Sequence, residues 1–90
     1  MSVELRQRAA AVKRLLEAKF GRGKISVRAE HRGTAYGWIN CWIPGVLMQQ
    51  LRSCEPALIH EIEAAGIELS YRYGDAGEKY PAITFQPERW

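Results

Sequence analysis

The residues best suited to chemistry in this chain are aromatic and cationic. Within TAYGWINCWIPG, Thr34 to Gly45, tryptophans stand at 38 and 42 with Asn40 between them. In an extended chain successive side chains alternate in direction. Trp38, Asn40 and Trp42 therefore share one face, and Ile39, Cys41 and Ile43 share the other. Flat rings on an open sheet can stack nucleotide bases while arginines such as Arg28 and Arg72 pair with phosphates. Tryptophan and arginine are also the residue types that dominate protein–protein hot spots. A third reading covers the rings with the chain itself, either by folding back Glu88-Arg89-Trp90 or by laying arginine stems across the indoles.

Catalytic and metal chemistry find little support. Gly21-Arg22-Gly23-Lys24 has the composition of a phosphate loop, but it is expected to follow a helix and precede a strand, the reverse of a phosphate-cradling arrangement. It reads as a turn whose cations Arg22 and Lys24, with Arg32 further on, can touch a phosphate backbone. His31, Cys41, Cys54 and His60 lack the close pairing of a zinc site. His60-Glu61-Ile62-Glu63 has Ala64 where the zinc-protease helix needs histidine. No nucleophile elbow, paired carboxylate or dinucleotide fingerprint appears. The expectation is a protein with no enzymatic activity, cofactor or metal.

The elements that must hold these groups follow from periodicity. Leu5, Ala9, Val12, Leu16 and Phe20 recur every three or four residues, which predicts a helix over 3–20 with Ser2 as N-cap and Gly21 as terminator. Lys24 to Glu30 alternates as a strand, His31 to Thr34 turns, and Tyr36 to Ile43 returns as the second strand of a hairpin. Helical patterning resumes over 46–53 and again over 56–65, ending at Gly66. Pro56 leaves open whether these are one kinked helix or two. Ile67 to Tyr73 alternates again, Gly74 to Lys79 is a polar connection, and Ala82 to Gln86 is a last strand bracketed by Pro81 and Pro87. The order α-β-β-α-β-β predicts an α+β two-layer sandwich, with two helices on one face of a four-stranded antiparallel sheet. Its outward face would then carry Arg28, Trp38, Asn40, Trp42 and Arg72.

Ninety residues make one domain, 1–90, and 47% apolar with 26% charged residues is the composition of a soluble globule. There is no apolar run of about 18 residues to span a membrane, nor an N-terminal apolar block of the signal-peptide kind. A cytoplasmic location is expected, and Cys41 and Cys54 fit it as small buried residues. The net charge of +3 is unevenly spread: residues 1–32 hold nine of the thirteen basic groups and a balance of +6, against −3 for the remainder. Such a field suits a polyanion or an acidic protein surface, although a solvated helix face rich in Arg and Lys has the same composition.

Over roughly residues 10–45, the run KISVRAEHRGTAYGWINCWIPG resembles small phage and plasmid proteins. It resembles in particular the large polyvalent protein-associated domains of mobile elements, in which a KxSVR strand leads through a glycine turn into a GWI strand after an amphipathic helix. The matching positions are Lys24, Ser26, Val27, Arg28, Gly33, Gly37, Trp38 and Ile39. The resemblance implies a mobile-element accessory protein and no catalytic residues. By association it also implies an anti-defence role. Residue types and resemblance together point to a small non-catalytic protein that binds nucleic acid through an aromatic and basic sheet face. The alternatives are a host protein or nucleoprotein complex as partner, or self-association.

Overall fold

The computed structural model describes residues 3–87. The Ser2 cap and the Glu88-Arg89-Trp90 tail named above lie outside them. Helix α1 (Val3–Phe20) buries Leu5, Ala9, Val12 and Leu16, the stripe that its spacing predicts. It stops at Gly21, which donates its N–H to the Glu17 carbonyl at 2.8 Å.

Strand β1 (Ser26–Ala29) pairs antiparallel with β2 (Ile39–Trp42), joined through a 3-10 turn at Gly33–Ala35. The return strand is shorter than its composition suggests, because Gly37 and Trp38 both oppose Glu30. Gly37 donates to the Glu30 carbonyl at 3.0 Å, and Glu30 donates to the Trp38 carbonyl at 2.9 Å. This is a β-bulge, and it depends on Gly37, which has φ +93° and little room for a side chain: a Cβ there would lie a tight 3.3 Å from Ser70 Oγ.

Helix α2 is continuous from Met48 to Ala64, with Pro56 inside it. An interior proline costs about 3 kcal/mol in an isolated helix. Here Leu51, Leu58 and Ile62 flank it on one stripe, all fully buried, while Pro56 and Arg52 face solvent. The Arg52 carbonyl that loses its partner therefore remains on the hydrated side. Gly66 closes the helix: its N–H reaches the Glu63 carbonyl at 3.0 Å and that of Ile67 reaches the Ile62 carbonyl at 3.3 Å, the Schellman pattern.

The fold is α+β, but its strands do not form one four-stranded antiparallel sheet. Strands β3 (Tyr71–Tyr73) and β4 (Lys79–Pro81) make a separate antiparallel ribbon. Strand β5 (Ile83–Gln86) lies parallel to β2, which gives a three-stranded mixed sheet in the order β1-β2-β5. The switch happens at the buried Ala82. Its N–H bonds to the Ser70 carbonyl at 2.7 Å, on the ribbon side, and its carbonyl accepts from Ile39 N–H at 3.0 Å, on the sheet side. One stretch of chain thus serves two sheets in succession. Parallel pairing needs a long crossover, which α2 and the ribbon supply. The inward side chains Ile39, Cys41, Ile43, Ile83 and Phe85 join Leu5, Val12, Leu16, Leu51, Leu58 and Ile62 in one core cluster. Among the described residues no helix is long and apolar enough to cross a membrane.

Candidate functional site

Two of the expected outward residues are committed within the sheet. Asn40 donates from Nδ2 to Glu30 Oε1 at 3.2 Å and accepts from the Thr84 hydroxyl at 2.8 Å. Arg28 lies across from Asn40, with Nε 3.8 Å from the same Glu30 oxygen and its side chain 68% exposed. A polar row, exposed Arg28 with half-buried Asn40 and Thr84, therefore runs across all three strands, with one carboxylate beside it. Trp42 is half-buried between Ser26 and Gln86 in the same register.

Arg72 is not on this face. It belongs to the ribbon, where its guanidinium donates to the Tyr36 carbonyl and braces the 3-10 turn beside Gly37. The reason is topological: β3 pairs with β4 and never enters the sheet. Its ribbon neighbour Tyr80 lies against Trp38, with ring centroids 6.2 Å apart and planes inclined by 40°. Trp38 is thus partly covered by a ring 42 positions away. Arg22, Lys24 and Arg32 are exposed in the turns before and after β1.

Two grooves flank the sheet, one at each edge. The first, of about 480 Å³, lies between α1 and β1 and is lined by Arg6, Ala10, Lys13, Arg28, Ala29 and His31 among others, with no acidic residue. The register explains its backbone. Ser26, Arg28 and Glu30 turn their N–H and C=O groups toward β2, so those of Val27 and Ala29 point out of the free edge into this groove. Cations and outward amides side by side are what anionic oxygens bind. His31 Nδ1 is buried there, with no hydrogen-bond partner among the described residues.

The second groove, of about 620 Å³, runs between α2 and the β4–β5 corner. Trp38, Tyr80, Pro56, Pro81 and Ile59 form its walls, and the Arg52–Glu55 ion pair (3.0 Å) sits at its rim. Sequence reasoning did not place Arg6, Lys13 or Tyr80 in a site, and weighed His31 only as a zinc ligand. The charge excess of residues 1–32 included the first two. Nothing in the sequence linked Tyr80 to Trp38.

Burial pushes the Cys41 thiol up to about 12. Tyr71, donating to Glu63 at 2.5 Å, is held above its ordinary value chiefly by that hydrogen bond. Cys54 is half-buried and free, and His60 is exposed. No protein-family model, curated protein or solved structure matches this chain.

Proposed function

We propose that this chain is a small non-catalytic nucleic-acid-binding protein, and that its contact with the phosphate backbone is the groove between α1 and β1. One observation carries the reading. Arg6 and Lys13 from the helix and Arg28 from the strand line a groove with no acidic residue in its walls, beside the outward amides of an edge strand, with Glu30 near Arg28 alone. Of the α1 cations, Arg6 and Lys13 face this second element, while Arg8 turns to the Glu68 carbonyl and Lys19 to Glu61. The carboxylate of Glu30, next to Asn40, makes the middle of the sheet a poorer place for phosphates than this edge. The resemblance to mobile-element proteins fits a cytoplasmic accessory role.

A second reading, a host protein or nucleoprotein partner of the anti-defence kind or a second copy of the chain, draws on a different observation. Leu47 and Met48 stand 68% and 43% exposed at the start of α2, a small apolar knob suited to a protein contact.

The discriminating experiment is binding of a labelled mixed-sequence oligonucleotide at low salt, followed by fluorescence anisotropy. Lys13→Glu is expected to weaken binding more than tenfold. Lys79→Glu, on the ribbon over the Tyr71 ring, is expected to change it little. Equal effects of the two, or no binding by the unaltered protein, would refute the reading.

A further inference from the structure

We infer that the groove beside α2 receives an unstacked base, so that the preferred ligand is single-stranded rather than duplex nucleic acid. This rests on the reading above, since it supposes that phosphates occupy the α1–β1 edge. The groove's volume of about 620 Å³ falls within the ~300–1,000 Å³ of small-ligand sites. Its walls are the flat surfaces that stack on bases: the indole of Trp38, the phenol of Tyr80 and the rings of Pro56 and Pro81. Tyr80 is 40% exposed, so its ring is presented to a ligand and not consumed by the core. At the rim, the Arg52 guanidinium is half exposed and held by Glu55, where it can reach a base edge or a phosphate.

The two grooves are joined by the polar row. Arg28 lines the basic groove, Thr84 lines the aromatic one, and Asn40 stands between them in register. Three neighbouring strands put the ends of that row about 10 Å apart, roughly three nucleotides at the ~3.4 Å spacing of a stacked strand. A single strand can therefore keep its backbone on the cations at one edge and deliver a base to Trp38 and Tyr80 at the other, at the cost of passing the Glu30 carboxylate beside Asn40. A duplex holds its bases stacked inside and offers the groove nothing. A proline-rich peptide would also suit aromatic walls, but it would leave the cationic edge without a counterpart.

The test compares four ligands by anisotropy at fixed low salt: a mixed-sequence single strand, the same strand with abasic sites, its duplex, and a proline-rich peptide. The intact strand is expected to bind about tenfold more tightly than the abasic one. Tyr80→Ala should remove that difference without altering duplex binding. Trp38→Phe is the second variant, retaining a ring if alanine at 80 disturbs the ribbon, and it should reduce the difference in part. Lys13→Gln should weaken every nucleic-acid ligand alike. Equal binding of intact and abasic strands, unchanged by Tyr80→Ala, would overturn the base site and leave the phosphate groove standing. Binding of the peptide alone, or of none of the four, would overturn both.

Discussion

The proposed phosphate contact at the basic groove predicts a salt dependence that can be worked out in advance. Three cations, Arg6, Lys13 and Arg28, line it, and the nearest carboxylate is that of Glu30, 3.8 Å from Arg28 Nε. Each phosphate neutralised on a single strand releases condensed counterions and contributes about −0.7 to the slope of log K against log salt concentration. Three contacts give a slope of about −2, so affinity should fall about 20-fold between 50 and 200 mM salt. Engagement of the exposed Arg22, Lys24 and Arg32 in the flanking turns would steepen the slope toward about −4. Arg6→Gln removes one groove cation while keeping a good helix former on an exposed position of α1. Its slope should be shallower by about 0.7, and its fall over the same range only about sevenfold if three contacts act alone. Anisotropy titrations at four or five salt concentrations measure both slopes. A slope shallower than about −1, or one that Arg6→Gln leaves unchanged, would show that the groove does not hold phosphates.

Other expectations can be checked with the same protein. Glu30→Gln should strengthen oligonucleotide binding severalfold, since it removes the carboxylate beside Arg28 and leaves an oxygen for Asn40; weaker binding would mean that the carboxylate orients Arg28 productively. Gly37→Ala should destabilise the fold by about 1–3 kcal/mol in urea denaturation, because alanine is strained at φ +93° and meets Ser70. A near-neutral result there would mean that the bulge relaxes freely. Iodoacetamide at pH 8 should label half-buried Cys54 and spare Cys41 until the protein unfolds. The raised Cys41 thiol also predicts a stability trend. It stays protonated in the fold where the unfolded chain ionises, so its contribution is complete below about pH 9 and fades as the pH rises toward 12. In urea titrations across that window Cys41→Ala should show a flatter decline than the parent chain, and an equally steep one would place the loss elsewhere.

What was legible in the sequence separates according to the range of the interaction that decides it. Helix α1 stands where local periodicity and Gly21 put it, and the first hairpin pairs as expected, but the bulge at Gly37 shortens its return strand to Ile39–Trp42. Pro56 left open whether α2 was one helix or two; Leu51, Leu58 and Ile62 keep one buried stripe across it, and burial of that stripe outweighs one lost backbone bond. The last strands misled for a different reason. Alternation shows which face Ile83 and Phe85 bury but not which neighbour they pair with, and both are buried against β2 as they would have been in a hairpin. Lys79-Tyr80-Pro81 carries no alternation at all, so the ribbon's second strand read as loop.

The candidate site divides along the same line. Trp38 was singled out for its type, but its half-covered state depends on Tyr80, and the ribbon that brings Tyr80 there exists only because the chain changes sheets at Ala82. The basic groove is nearly local by contrast. Arg6, Lys13, Arg28 and His31 all fall within the first 31 residues, on a helix and the strand that follows it after one short turn. The charge excess of that segment was visible in the sequence as a number. Packing α1 against an edge strand brings Arg6, Lys13 and Arg28 of that excess into one concave row beside outward amides, while Arg8 and Lys19 turn to Glu68 and Glu61 instead.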